Sequence, residues 1–302
     1  MNIDTLKVFC DIVRFHSFSR AAEENQISQS AVSQSLSQIE KNLGVSLINR
    51  KLRPFQLTPE GQRYYSGVKD LVTRYFAVET EIMTLKGEVR GEVRVAAIYS
   101  VGLAEISGYV QQFSWKYPGS SVRMSFLHPD RVYESVINDE ADLGLISYPA
   151  RRREIDALPW KDDELVVVSA PGFLQGPEGK FRVADLNGQR FIAFDEGLLI
   201  RKEIDRYLDR HGVVVDTAMS FDNVETIKRA VEIGGGAAIL PEASVRNEVR
   251  LGMLQVFPLP RPGLSRPIGI ILRKHRPLLR AVEVFIELLQ ESAGTKRLRR
   301  AA

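Results

Sequence analysis

Ser30, Ser33, Gln34 and Ser37, with Lys41 one turn further on, recur along one side of a run whose other side carries Val32, Leu36, Ile39 and Leu43. That spacing predicts an amphipathic helix from Gln29 to Leu43, with Ser28 as its cap and Gly44 as its stop. A helix face that merely meets water is the alternative, but such faces are rich in Glu, Lys and Arg. Short hydroxyls and amides both donate and accept hydrogen bonds, so they can match base edges in a major groove or hold phosphates. Arg50, Lys51 and Arg53 follow closely. These cations suit a phosphate backbone or a minor groove, or else form a plain exposed basic loop.

Other chemistry finds less support. His16, His128, His211 and His275 are scattered without metal-ligand spacing, and no phosphate loop after a strand and no nucleophile elbow occurs. Gly234 to Gly236 follow a helical pattern instead of opening one after a strand, which argues against a dinucleotide fingerprint. No cofactor is expected. An α/β enzyme with a dispersed site, and a solute-binding protein that never touches DNA, stand as alternatives; the second leaves the first 57 residues without a purpose.

The 302 residues, 44% hydrophobic and 26% charged, suit two or three globular domains. A net charge of +3 confines any nucleic-acid contact to a local patch. The tail Lys296, Arg297, Arg299 and Arg300 reads as a solvated end. The single cysteine, Cys10, lies among Ile3, Leu6, Phe9 and Val13 on one helical face and is expected to pack in a core. With no signal-like start and no apolar run near about 18 residues, a cytoplasmic protein without a membrane span is expected.

The elements that would position these groups follow from the caps. Residues 3 to 15 carry helical spacing. Ser17 to Arg20 break it, Ser19 opens a short helix through Ala21 to Glu24, Asn25 ends that helix in a left-handed conformation, and Ile27 plugs the turn. Val45 to Ile48 and Phe55 to Leu57 read as the strands of a hairpin around the basic loop, a wing beside a helix-turn-helix. Thr58, Pro59 and Glu60 then start a long helix. Its apolar positions Tyr64, Val68, Leu71, Tyr75, Val78, Ile82 and Leu85 alternate steps of 4 and 3, the seam of a coiled coil. To Glu88 it would run on the order of 45 Å, a dimerising rod, or else an ordinary amphipathic helix on a core.

From Gly91 short apolar runs alternate with helical stretches. Strands are expected at 93–98, 122–127, 141–146, 165–170, 190–194, 237–240 and 268–272. Helices are expected at 103–117, 131–139, 199–211, 223–233 and 278–291. This alternation implies mostly parallel sheets covered by helices, with ligands bound beyond the strand ends. The candidate ends are Ser100-Val101, His128-Pro129, Ser147-Tyr148-Pro149 and Asp195-Glu196.

Residues 1 to about 65 resemble the winged helix-turn-helix of the LysR-type transcriptional regulators. The runs are Phe18-Ser19-Arg20-Ala21-Ala22, Ile27-Ser28-Gln29-Ser30-Ala31-Val32-Ser33-Gln34, Ile39-Glu40, Leu43-Gly44 and Leu57-Thr58-Pro59-Glu60-Gly61, with matching gaps. The resemblance implies that Gln29, Ser30, Ser33 and Gln34 approach the major groove of double-stranded promoter DNA and that Arg50 approaches the backbone or minor groove. The family often carries proline at position 30, arginine at 34 and phenylalanine at 48, where this chain has Ser30, Gln34 and Ile48; these departures bear on base preference.

Residues 91 to 302 resemble the family's effector-binding half, two α/β subdomains with a cleft between them; Gly234 to Pro241 match its motif near the end. The implied architecture is a winged helix-turn-helix at 1–57, a linker helix at 58–89 and an effector-binding domain at 90–302. Subdomain I would take about 90–165 and 268–302, and subdomain II about 166–267, the chain crossing near Glu164 to Val168 and returning near Pro267 to Ile270. Ser100, Val101, His128, Ser147 and Tyr148 would form one lip, and Asp195, Glu196 and Asn223 the other, Asn223 being equally a helix cap. Ser37 and Arg53 complete the expected DNA-facing set. The expected partners are DNA, a small-molecule effector, a second copy of the chain, a tetramer of two such dimers, and RNA polymerase.

Overall fold

The computed structural model of the chain describes residues 2–85, 89–101, 106–174 and 181–300, without side-chain detail at 80, 81, 83–85 and 292–300. It forms two units: residues up to Val89 together with His275–Arg280, and residues Arg90–Lys274 together with those from Ala281 on.

In the first unit α1 (Ile3–Phe15) is capped by Asn2, whose side chain accepts from the Thr5 amide. Then α2 (Phe18–Glu24) is capped by Ser17, not by Ser19 as expected, since the Ser17 hydroxyl accepts from the Arg20 amide at 3.2 Å. Asn25 does not take the left-handed conformation; Gln26 does, at φ 53°. The reason lies in the Asn25 side chain, which donates to Asp11 and to the Ala21 carbonyl at 2.8 Å each and accepts from Lys7 at 2.7 Å. Ile27 is exposed and plugs nothing. Ser28 caps α3 (Gln29–Leu43), and Gly44 ends it at φ 72°, a conformation that favours glycine.

Phe9, Ile12, Ala21, Val32, Leu36, Ile39 and Leu47 are sealed from solvent at the centre of this unit. Leu43 was expected on the same face but is exposed. Cys10 is half-buried; burial, with Asp11 adding to it, pushes its thiol up to about 12, so it stays protonated. The wing strands are shorter than expected, β1 (Ile48–Asn49) and β2 (Gln56–Leu57), paired antiparallel. The Glu40 carboxylate accepts from the amides of Leu47 and Ile48 at 2.8 and 3.3 Å. A side chain there replaces the ladder that Val45 to Leu47 would have needed.

The long helix α4 (Pro59–Leu85) is capped by the Thr58 hydroxyl, which accepts from the Gly61 amide at 2.9 Å. At about 1.5 Å per residue it is roughly 40 Å long. Of the seam residues, Tyr64 turns into the unit's own core, its ring centroid 5.4 Å from that of Phe9, a correction to its expected place at a dimer contact. Val68 is half-buried. Leu71, Tyr75, Val78 and Ile82 are 55%, 43%, 40% and 53% exposed, whereas Val72 and Ala77 are buried. The Leu85 side chain lies outside the described ones.

The second unit runs β3 (Gly91–Ala97), α5 (Tyr99–Val101), α6 (Ser107–Lys116), β4 (Ser120–Phe126), α7 (Pro129–Ile137), β5 (Leu143–Ser147) and β6 (Ile155–Ser169). It continues with β7 (Arg190–Phe194), α8 (Leu199–Arg210), β8 (Asp216–Phe221), α9 (Val224–Glu232), β9 (Ala238–Pro241), α10 (Glu242–Arg250), β10 (Gln255–Pro258), β11 (Ser265–Arg273) and α11 (Arg280–Arg300). Residues 102–105, where the first helix of this half was expected to begin, lie outside the described residues. The Asn223 side chain caps α9 by accepting from the Thr226 amide at 3.0 Å.

The expectation of mostly parallel sheets needs correction. Strands β3, β4 and β5 pair in parallel, as do β7 and β8. The other strand pairings of this unit are antiparallel and run through β6 and β11; β6 extends over 15 residues where only its apolar end, 165–170, was expected. Its first part pairs with β11 over Ile155 to Glu164, and its last part is flanked by β9 and β10. The strand order β10-β6-β11-β5-β3-β4 thus carries one strand pair from one half of the unit into the other, with a register irregularity in β11 between Ile268 and Gly269.

Candidate functional site

On α3 the side chains of Gln29, Ser30, Gln34 and Ser37 are exposed and that of Ser33 is half-buried. Ser30 shares a 2.8 Å hydrogen bond with the capping Ser28, and Ser19 donates to Gln29 Oε1 at 3.3 Å. Ser33, Gln34 and Ser37 use none of their hydrogen-bonding capacity within the described residues. That leaves a row of donors and acceptors open toward a ligand. Beside it, Arg50 Nη2 lies 3.5 Å from Glu40 Oε2 and its guanidinium 5.9 Å from the Phe18 ring centre. Glu40 therefore both shapes the wing and orients its arginine. Arg53 is exposed in the same loop.

In the second unit a cavity of about 170 Å³ opens between strand ends and helix starts. Of the expected residues, Ser100, His128, Ser147, Tyr148 and Asn223 line it; Val101, Asp195 and Glu196 do not. Val101 is turned into the core, its amide bonded to the Ile98 carbonyl at 3.1 Å. Asp195 instead shapes the turn: its amide donates to Phe221 and its carbonyl accepts from Leu198, both at 3.0 Å, so Gly197 and Leu198 reach the cavity and the carboxylates do not. Arg201, in the first turn of α8, is bonded to Asp205 and to the Phe194 carbonyl at 2.8 Å.

Sequence reasoning missed Arg266, which forms part of the wall while being only 1% exposed. Its Nη2 and Nε donate to Asp163 Oδ2 at 3.0 and 3.3 Å, and its Nη1 donates to the Ser100 hydroxyl at 2.8 Å. Asp163 in turn accepts from Lys161 at 2.7 Å. Burial opposes the charge on Asp163, but Arg266 and Lys161 outweigh it and hold the carboxyl below its ordinary range. Arg266 falls outside the strand expected at 268–272, and no local pattern marks it as part of a wall. Arg152, stacked 3.6 Å over the Tyr133 ring centre, also lines the cavity and was missed, as were Phe194 and Leu198 to Ile200.

Tyr148 is held at φ 50°, a backbone conformation that non-glycine residues rarely adopt, and its amide donates to the Pro267 carbonyl at 2.8 Å. Its hydroxyl oxygen is buried without a hydrogen-bond partner among the described residues. Burial, with Glu203 adding to it and Arg266 opposing, pushes this phenol up to about 12, so it is a donor at neutral pH. No helix among the described residues is long and apolar enough to cross a membrane.

Residues 3–62 match the family model described as bacterial regulatory helix-turn-helix protein, lysR family, and residues 86–294 match the LysR substrate binding domain. A probable RuBisCO transcriptional regulator of Guillardia theta is 30% identical over 94% of this chain and 93% of its own length. Among solved structures, a full-length OxyR variant from Pseudomonas aeruginosa superposes with a TM-score of 0.74 at 21% identity, covering 96% of this chain and 94% of that one. Full-length CbnR in complex with its target DNA gives 0.62 at 18% identity, covering 97% and 100%. Both likenesses are of fold. With both halves matched by models of one family of regulators, and not of enzymes, the chain belongs to the LysR-type transcriptional regulators: a DNA-binding helix-turn-helix, a linker helix and an α/β effector-binding domain.

Proposed function

We propose that this regulator reads promoter DNA with Gln29, Ser30, Ser33, Gln34 and Ser37 on α3 and with Arg50 and Arg53 of the wing. A small molecule in the cavity at Ser100, His128, Ser147, Tyr148, Asn223 and Arg266 changes how the protein sits on that DNA. The division is 1–57 for DNA, 58–89 for the linker and 90–302 for the effector, with subdomains at about 90–165 plus 268–302 and at about 166–267. The observation that carries the reading is that this cavity draws its wall from residues 98–152 and from residues 194–224, as well as from Arg266 on β11. A ligand touching both can bias their arrangement. The chain works in the cytoplasm as a homodimer through Leu71, Tyr75, Val78 and Ile82 on α4, and two dimers form a tetramer with RNA polymerase as a further partner.

Selection from random oligonucleotides with the full-length protein, with and without a metabolite extract, tests the whole scheme. A preferred sequence whose occupancy shifts with the extract, and shifts less in Ser100→Ala, supports it; no preference in either condition sinks it. Ser33→Ala or Gln34→Ala is expected to cost about 1–3 kcal/mol at particular base pairs and little on random DNA. Equal losses on every sequence would remove the base-reading role. Glutamate at both Leu71 and Tyr75 is expected to give monomers in light scattering, because half-exposed apolar side chains at heptad spacing want a partner helix. A stable dimer would contradict the seam.

A further inference from the structure

The exposed residues of α3 are unequal in what they can ask of a base pair. They include three glutamines, Gln29, Gln34 and Gln38, and the helix carries no arginine and no lysine before Lys41. Two of the glutamines are tied down. Gln29 Oε1 accepts from the Ser19 hydroxyl at 3.3 Å, and Gln38 Nε2 donates to Asn42 Oδ1 at 2.8 Å. Gln34, exposed in the second turn, is bonded to no described residue, so its amide keeps both an oxygen that can accept and an NH2 that can donate. The Ser30 hydroxyl is shared with the capping Ser28. Those of Ser33 and Ser37 are open, but a hydroxyl turns to donate or accept as its partner requires and so discriminates weakly between bases. The one carboxylate of the helix, Glu40, is taken up by the amides of Leu47 and Ile48 and by Arg50.

We propose that Gln34 sets the base preference of α3 and that the base it selects is adenine, its amide oxygen accepting from the adenine N6 amino group and its NH2 donating to adenine N7. The inference rests on α3 being the helix that enters the major groove, and it names the base pair read there. A free carboxamide is a donor beside an acceptor, and among the four bases adenine alone presents the matching acceptor and donor in that groove. Guanine presents two acceptors. These suit the fork of an arginine or lysine, and α3 offers neither over its first three turns. Cytosine presents a donor suited to a carboxylate, and Glu40 is already engaged. Against either wrong base one end of the Gln34 amide would be left without a partner, which is what makes the mismatch costly. Gln29, with its oxygen occupied, can only donate, and the N7 acceptor it would meet is common to both purines. Gln38 lies in the third turn, farther from the end of the helix that reaches base edges, and has one donor already engaged.

The test starts from the duplex that the full-length protein selects from random oligonucleotides; each base pair is then replaced in turn and binding is measured by fluorescence anisotropy. At least one A·T pair is expected at which G·C weakens the wild type about tenfold or more, and at which Gln34→Ala cuts that discrimination to about twofold or less while leaving the other positions unchanged. Replacing the adenine of that pair by 7-deazaadenine removes the N7 acceptor, and replacing it by unsubstituted purine removes the N6 amino group. Each is expected to weaken the wild type about threefold or more and Gln34→Ala hardly at all. Gln34→Arg is expected to move the preference at that pair to guanine by about tenfold. Gln34 is exposed and holds no other described residue in place, so Gln34→Ala keeps the fold, which unchanged binding to random DNA would show. Discrimination at every A·T pair undiminished in Gln34→Ala, a Gln34-dependent pair that is G·C, wild-type binding indifferent to both analogues, or retained adenine preference in Gln34→Arg would each overturn the assignment. None of those results removes α3 as the reading helix so long as Ser33→Ala still loses affinity at particular base pairs. A selection that yields no preferred sequence sinks that reading and the adenine assignment with it.

Discussion

Asp163→Ala is expected to destabilise the effector-binding domain by about 3–5 kcal/mol, the cost of stripping a buried ion pair of one partner. The charge left behind is Arg266, 1% exposed on β11 opposite Asp163 of β6, with the Ser100 hydroxyl as its remaining side-chain acceptor among the described residues. Urea unfolding followed by tryptophan fluorescence would measure the loss, because Trp160 is buried on the strand that carries Asp163. Replacing both partners, Asp163→Leu with Arg266→Met, is expected to recover most of the deficit, since no orphaned charge then remains. A double variant no better than the single one would place the cost in packing instead. The sign of the pH dependence follows from the carboxyl being held below its ordinary range by Arg266 and Lys161 against the opposing effect of burial. The pair's contribution is therefore complete above the unfolded carboxylate value near about 4 and is lost as pH falls through the lower folded value. Asp163→Asn should flatten stability over that acid window and leave its slope at neutral pH unchanged.

Gly61→Ala is expected to cost the DNA-binding unit about 3 kcal/mol, at the upper end of what overpacking does. A methyl group at this position would lie 1.9 Å from the Leu47 carbonyl oxygen and 2.8 Å from its carbon, and that obstacle is backbone, not a side chain able to turn away. The same carbonyl accepts from the Thr58 amide at 3.0 Å, and the Leu47 amide donates to Glu40. Pushing Leu47 aside therefore disturbs the start of α4, the base of the wing and the end of α3 together. Binding to specific DNA should fall more than stability does, because the wing arginine and the serine-lined face must keep their spacing. Gly67→Ala is the control on the same helix. Nothing lies within 4 Å of its added carbon, and replacing glycine inside a helix is expected to stabilise by up to about 1 kcal/mol. Thermal unfolding by circular dichroism would compare the two; equal behaviour would deny the close approach of α4 to Leu47.

What could be read in advance was whatever depended on local chemistry. Ser28 and Gly44 bracket α3 as their side chains and φ preferences require, and Arg190 to Phe194 form β7 between the bounds that its apolar run predicts. What escaped depended on partners far along the chain. The first ten residues of β6, which include Asp156, Lys161, Asp162 and Asp163, look too polar for a strand until β11 is laid beside them. Strand β8 is almost wholly exposed, so burial left no periodic mark on it. In the cavity, five of the eight expected residues sit where the strand ends point. Asp195 and Glu196 failed because a tight turn carries the chain past them before it reaches the wall. Arg266 was invisible because its meaning lies in Asp163 and Ser100, 103 and 166 residues away.

Strand β11 lies inside the sheet, between β6 and β5, yet it is the last strand in chain order. On the ribosome, β5 and β6 emerge well before the segment that must sit between them, β6 ending at Ser169 and β11 beginning only at Ser265, so the sheet waits open while the rest of the domain is made. Any nascent chain that stops short of Ser265 lacks both the wedge that joins the two halves and the guanidinium in the cavity wall. The amino-terminal helices depend on no such latecomer for their packed centre. A truncated product could therefore hold DNA while deaf to any metabolite, which makes completion of this one strand the step that turns a binder into a responder.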